Sequence, residues 1–362
     1  MEKIAITRLL LVIAAAGLFA TCSEWTDPEG LTTEKRSIES ENQALYQQYL
    51  ENLRSYKKSH HQLIIGWLDN SNKAPDSRAA HLEAVPDKVD IVSLMYGDNL
   101  TGIERDEMKS IRGKGTKTIY TIDYEAFRQD IENRNADIEA QNKDGQEAAE
   151  EEGTTYAPIP LVDLDAKLPE FIDAQLALLD KYEYDGLGVH FVGKATLQPD
   201  EEAAMQARQD LIFGKLQAVM SAHSDKLFIF EGAPQNVFNK EVLQRFGYIV
   251  IRTEKIGDVQ MLTETVQRAI SVSGVPSGNI IVSVSAFSTD KSDIATGYIV
   301  DANGVTQAAI IEMAHWVTTP APNNFTKAGL GIYRINDDYY NAELDYKYTR
   351  EAIEIINPSS KK

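Results

Sequence analysis

Across 362 residues the chain has one cysteine, Cys22. No disulfide can form within a single chain, and no cysteine set has the spacing of a structural zinc site. Basic side chains are also in deficit: 36 Lys and Arg stand against 55 Asp and Glu, for a net charge of −19. A field of that sign repels phosphate backbones, and no local basic patch offsets it, so nucleic acid is excluded as a partner. The long apolar run, residues 9–20, is too short to cross a bilayer. No Gly-x-Gly-x-x-Gly turn follows the first apolar run of the folded part, so nothing signals a dinucleotide cofactor. What the chain does have is 43% hydrophobic residues, enough for a globular core.

The N-terminus has the order of a secretion leader. Lys3 and Arg8 precede the apolar run, and Cys22 follows it in "LFATCSEW". This stretch resembles the lipobox of bacterial lipoproteins, in which the cysteine becomes the acylated first residue. Thr21 stands where Gly, Ala or Ser is usual. The resemblance implies removal of residues 1–21 and a lipid anchor on Cys22 in the outer membrane. The acidic "SEWTDPEGLTTE" that follows suits a flexible tether, and it resembles the signal that sends some lipoproteins to the cell surface.

Residues 35–58 carry an uneven apolar stripe that predicts a helix. The expected organisation is a leader at 1–21, tether and helix at 22–58, and one barrel domain at 59–358. Short apolar runs then alternate with amphipathic stretches. The runs at 62–68, 89–96, 117–123, 184–192, 226–232, 248–253, 279–287 and 329–335 read as strands. Helices are expected at 104–112, 164–181, 201–223, 240–246, 260–273, 306–318 and 342–356. Eight near-continuously apolar strands alternating with helices predict an α/β fold with a parallel sheet, a (β/α)8 TIM barrel. A doubly wound open sheet is the second choice. One connection is unusual: residues 130–152, after the third strand, hold nine acidic and two basic side chains. It reads as a solvated, partly helical insertion or as a lid for calcium or a partner. No spacing in it matches a calcium loop, so no metal and no cofactor are assigned.

Barrel sites form at the C-terminal strand ends. These carry Trp67, Asp69 and Asn70; Tyr96, Asp98 and Asn99; Asp123 and Tyr124; and His190 on the fourth strand. Glu231, Arg252 with Glu254, Ser285 with Phe287, and Tyr333, Arg334, Asn336 and Asp337 complete the set. Aromatic faces beside carboxylates, amides and an Arg fork suit sugar recognition. The expected ligand-binding residues are Trp67, Asp69, Tyr96, Asp98, Asp123, Tyr124, His190, Glu231, Arg252, Tyr333 and Asn336. Plainer readings stand beside these: Trp67 and Tyr96 as barrel plugs, His190 as a core histidine, Glu231 and Arg252 as a buried ion pair.

The fourth strand, "YDGLGVHFVG", starts with Asp185-Gly186 and a hydrophobic residue. In a barrel of this order it resembles glycoside hydrolase family 18, the chitinases and endo-β-N-acetylglucosaminidases. The lipoprotein signal fits family-18-like proteins of bacterial glycan-utilisation systems. The resemblance implies an Asp-x-x-Asp-x-Asp-x-Glu motif, with the Glu as general acid and the preceding Asp orienting the substrate's acetamido group. Carried onto this chain, Asp185 matches the first Asp, while Gly188, His190 and Val192 replace the remaining three carboxylates. Valine has no proton to give, and losing a positioned general acid costs on the order of 10²–10⁴-fold.

The expected function is therefore a non-catalytic, surface-exposed glycan-binding lipoprotein for N-acetylglucosamine-containing oligosaccharides such as N-glycans. Two alternatives remain: an active endoglycosidase whose acid has moved to Glu231, and a scaffold subunit bound to an outer-membrane glycan transporter. Cys22→Ala should move the protein from the membrane to the soluble fraction of lysed cells, as read by immunoblotting.

Overall fold

The structure, a computed structural model, describes residues 42–321 and 325–358. The leader, Cys22 and the tether lie outside the described residues, as does the start of the helix expected at 35–58. Among the described residues no helix is long and apolar enough to cross a membrane.

Ten strands are formed among the described residues: β1 (Leu63–Leu68), β2 (Ile91–Leu94), β3 (Lys117–Asp123), β4 (Gly186–Phe191), β5 (Leu227–Gly232), β6 (Tyr248–Ile251), β7 (Ile280–Ser285), β8 (Tyr298–Val300), β9 (Thr306–Ala308) and β10 (Lys327–Tyr333). Eight of them close into a parallel barrel in the order β1-β10-β7-β6-β5-β4-β3-β2, and β8 and β9 form a separate hairpin. The helices are α1 (Gln43–Lys58), α2 (Gly102–Gly113), α3 (Tyr124–Glu152), α4 (Leu164–Lys181), α5 (Pro199–Ala222), α6 (Val259–Ile270), α7 (Ala309–Thr318) and α8 (Lys347–Ile356). The expected (β/α)8 barrel is what forms.

The strands are apolar on both faces because both are covered. Ile65, Ile91, Ile119, Ile229, Val250 and Ile281 fill the barrel interior together with Trp67. The opposite positions, such as Leu187, Val189 and Phe191 of β4, pack into the layer between strands and helices. This period of two leaves Gly186, Gly188 and His190 on the inner face of β4.

Asp185 anchors the start of β4. Its carboxylate accepts from the Thr118 N–H at 2.9 Å and the Arg112 Nε at 2.7 Å. It thereby joins β3, the end of α2 and the base of β4. The first Asp of the motif is thus a structural fastener.

Several local expectations are corrected. The acidic stretch, expected to be partly helical, is helical throughout: it belongs to α3, a continuous helix of 29 residues, capped by Asp123 and ended by Gly153 in the left-handed region. Most of its residues face solvent, so its charge needs no tertiary partner. The chain returns along it, held by Asn142 to the Ile159 backbone at 2.7 and 2.9 Å and by Asn135 to Val162 at 2.7 and 2.9 Å. Residues 240–246 form a 3-10 segment, Lys240–Arg245, in place of an α-helix. In the stretch 306–318 the first three residues pair as β9 before α7 starts, and in 342–356 the helix begins only at Lys347. Asp185→Ala should lower unfolding stability by about 1–3 kcal/mol, measured by denaturant titration, with the secondary structure retained.

Candidate functional site

The strand register brings the mouth residues together. Asp123 pairs in register with His190, His190 with Glu231, and Trp67 with Tyr333. All lie at C-terminal strand ends on the inward face.

Glu231 is at the centre and is wholly shielded from solvent, with 0% of its surface exposed. One carboxylate oxygen accepts from the Thr121 hydroxyl at 2.7 Å, and the other from Arg252 at 3.1 Å. Arg252 reaches across to Glu254 as well, at 2.7 Å through Nε. Glu254 takes a further hydrogen bond from Ser283 at 2.7 Å. Burial opposes the charge of Arg252, but Glu231 and Glu254 overcome this and hold its guanidinium above the usual range. Its planar head lies over the Tyr333 ring at 4.9 Å and the Trp67 ring at 5.6 Å, cation–π contacts that finish the floor. The expected Glu231–Arg252 ion pair is therefore present.

Gly188 explains part of the altered motif. A Cβ there would lie 2.6 Å from Glu231 Oε1 and 3.0 Å from Thr121 Oγ1. The volume that a longer side chain at 188 would need belongs to Glu231, supplied by the next strand.

His190 pairs with Asp123 at 2.9 Å through Nδ1. Asp123 also caps α3, accepting from the Ala126 N–H at 2.9 Å. Burial works against the charged imidazole, yet the hydrogen bond and charge of Asp123 outweigh it and push His190 above its ordinary value. Burial likewise opposes the Asp123 carboxylate, and His190 reverses the balance, so Asp123 sits below its ordinary value.

Val192 lies just past the end of β4 and is 38% exposed. Its N–H donates to Glu125 Oε1 at 2.8 Å, and the Gly193 N–H donates to the same oxygen at 2.9 Å. Glu125 Oε2 accepts from Arg128 at 3.2 Å. A carboxylate does stand beside the position of the missing acid, but it is bound as an acceptor of three N–H groups.

The remaining expected residues divide. Asp69 and Asn336 belong to the rim: Arg334 contacts Asp69 at 3.1 Å, and Asn336 accepts from the Asp69 N–H at 2.9 Å. Tyr96 is exposed on the loop after β2 and does not plug the barrel. Buried Asn70 clamps that loop, accepting from the Tyr96 N–H at 2.8 Å and donating to its carbonyl at 3.1 Å. Asp98 is exposed on the same loop, and its carbonyl accepts from the Tyr182 hydroxyl at 3.0 Å, away from the central cluster. Tyr124 is a correction. It is fully buried and stacks on Phe191 in the layer outside the strands, because α3 begins immediately after Asp123. It cannot face a ligand at the mouth. Trp67 is buried in the interior cluster, as a plug would be, and its indole N–H has no partner among the described residues.

Sequence reading missed Thr121 and Glu125. Thr121 was available from the alternation that places Asp123 inward. Glu125 carried no signal beyond its place in a helix's first turn.

Chemically, Glu231, Glu254, Glu125, Asp69 and Asp123 each accept from cationic, hydroxyl or N–H donors. Asp123 is the most open of the inner set, with 41% of its side chain exposed. Among the described residues no His, Cys, Asp and Glu group has the arrangement of a metal site.

The family model described as "Glycoside hydrolase family 18, BT1044-like" matches residues 26–355. No curated protein matches. Among solved structures, a selenomethionine form of BT1044 carrying a Glu-to-Gln substitution is 17% identical, with a TM-score of 0.58, covering 88% of this chain and 95% of its own. An endo-β-N-acetylglucosaminidase from Cordyceps militaris gives 18% identity and a TM-score of 0.54, covering 85% and 95%. A chitinase from Bacteroides thetaiotaomicron gives 11% and 0.52, covering 83% and 98%. At these identities the structural likeness establishes the barrel fold.

His190 should titrate with a midpoint above 6.5 by NMR, and Asp123→Asn should lower it. The raised His190 value gives stability that is full below pH 6.5 and lost as pH rises through the folded-state value. The depressed Asp123 value gives stability present above pH 3.8 and lost as pH falls through its folded-state value. The pair should therefore stabilise most between those limits, which a series of melting temperatures against pH would test.

Proposed function

The chain belongs to the BT1044-like branch of glycoside hydrolase family 18, and we propose that it binds glycans containing N-acetylglucosamine without cleaving them. One observation carries this reading. The family's motif, carried onto this chain, puts the general acid at Val192, and Glu125, Glu231 and Glu254 nearby are engaged as hydrogen-bond acceptors. Glycosidic cleavage by this family's chemistry needs a carboxylic acid that donates to the leaving oxygen and a second group that orients the acetamido nucleophile. Glu231, the best alternative acid from sequence, is fully buried with both oxygens engaged, so a glycosidic oxygen has no approach to it.

Support for binding comes from the rim. Tyr333 is partly exposed beside Arg252, Tyr96 stands open on the loop after β2, and Asp123 is an accessible acceptor at the end of β3. Aromatic faces take the C–H face of a pyranose, and carboxylates accept from its hydroxyls.

We also infer that the protein works as a lipid-anchored outer-membrane protein at the cell surface, held by Cys22. In that place it would present oligosaccharide to a glycan transporter. The lipobox-like leader and the acidic stretch after Cys22 support this placement.

Two measurements test the proposal. Overnight incubation with an N-glycoprotein should release no glycan by mass spectrometry. Calorimetry with chito-oligosaccharides and released N-glycans should show binding that Tyr333→Ala weakens by about tenfold. Cleavage that disappears in Glu231→Gln would sink the non-catalytic reading.

A further inference from the structure

The barrel base, at the strand ends opposite the mouth, holds a second buried pair of titratable groups. His61 lies between α1 and β1, and Asp90 stands just before β2. Only 6% of the His61 side chain and 7% of the Asp90 side chain are exposed. His61 Nε2 faces Asp90 Oδ1 at 2.9 Å, and His61 Nδ1 faces the Ser59 carbonyl at 2.8 Å. The other Asp90 oxygen accepts from the Ile64 N–H at 2.9 Å, which fixes the carboxylate to the start of β1.

Both ring nitrogens of His61 therefore meet acceptors. A neutral imidazole has one N–H, so one of the two contacts would set a lone pair against an oxygen. Only the imidazolium donates to both. Its hydrogen bond to Asp90 is the largest influence on the ring and, with the Asp90 charge, outweighs burial and holds His61 above its ordinary value. The stability this gives is full below pH 6.5 and is lost as pH rises through the folded-state value.

The groups around the pair do not cancel this. The Tyr56 ring of α1 lies 4.5 Å from the imidazole, and burial, then Asp90, pushes its phenol up to about 12. Lys57 Nζ donates to the Val89 carbonyl at 2.7 Å and to the Thr116 hydroxyl. Burial pulls Lys57 down to about 8, so its charge costs stability and raising the pH relieves that cost. Lys114 pairs with Asp87, and Lys88 pairs with Glu354 of α8. Tyr248 of β6 is held above its ordinary value by burial and the Asp90 charge. Among these groups His61 is the one whose stabilising charge disappears above neutral pH.

Two ties that do not titrate in this range bound the segment. Arg54 Nη1 donates to the Gly113 carbonyl at 3.0 Å. Asn357 accepts from the Gln62 N–H at 3.0 Å and donates to its carbonyl at 2.7 Å.

We propose that His61 is a pH-sensitive clasp, which as the imidazolium joins the end of α1 to the barrel base through Ser59 and Asp90. On deprotonation the stretch 55–61 loosens between its two fixed ends while the barrel stays closed. The N-terminal part of the chain enters the barrel through this stretch, so the clasp sets the stiffness of that joint. Its bearing on a membrane-held barrel rests on the lipid-anchor reading above; the clasp itself does not.

The test is ring ¹⁵N NMR of the full chain labelled at its six histidines, beside backbone hydrogen exchange. At about pH 6 both His61 nitrogens should carry protons, with a midpoint above 6.5 that Asp90→Asn lowers. Protection of residues 55–61, corrected for the intrinsic rate, should fall about tenfold through that midpoint, with β4 and β5 unchanged. His61→Gln should remove this pH dependence; if that variant does not fold, the wild-type ring titration and exchange still decide. A His61 ring with a single proton at about pH 6 overturns the clasp. So does protection that stays constant through the midpoint, or that falls equally in His61→Gln. None of these outcomes bears on glycan binding at the mouth.

Discussion

The mouth of the barrel is organised by one buried carboxylate. Glu231 is sealed from solvent, and a charge so placed is tolerable only with its hydrogen bonds and a counter-ion in place. Thr121 and Arg252 meet that demand, and Arg252 then needs Glu254, which needs Ser283. The floor of rings follows, since the Arg252 guanidinium lies against Tyr333 and Trp67. Even the glycine in the altered motif follows. Glu231 Oε1 lies 2.6 Å from where a Cβ on residue 188 would stand, so an Asp there would meet both a clash and a like charge. The space beside Gly188 is filled by this charge network.

The same economy governs Asp123. It ends β3, caps α3 and holds His190. Its carboxylate is favoured by a helix N-terminus and by the hydrogen bond to His190. Where the family pattern has an aspartate at 190, this chain has an imidazole held from the neighbouring strand. At position 192 the backbone N–H is given to Glu125, which ties the loop after β4 to the first turn of α3.

The barrel carries Gly186, Gly188 and His190 on the inner face of β4, with Val192 just beyond the strand's end. Strand order and the fastening role of Asp185 depend on backbone register and outward packing, so a few inward side chains can differ without disturbing the barrel.

Much of this was legible in the chain itself. Eight apolar runs alternating with amphipathic stretches determined the barrel, because buried parallel strands must be apolar on both faces. The altered motif was readable letter by letter, and so was the pairing of oppositely charged Glu231 and Arg252 at adjacent strand ends. Helix ends were less legible: nothing local distinguishes the 3-10 segment at Lys240–Arg245 from an α-helix, and the acidic run 130–152 forms one long helix through its strong Asp123 and Gly153 caps. Tyr124 looked like a mouth residue by position, yet the immediate start of α3 turned it into the packed outer layer. The sequence by itself determined which residue types stand at each strand end. Only the tertiary structure decided which of them meet, because Glu231 fills the space over Gly188 and Glu125 reaches Val192 through strand register and helix placement that no local pattern encodes.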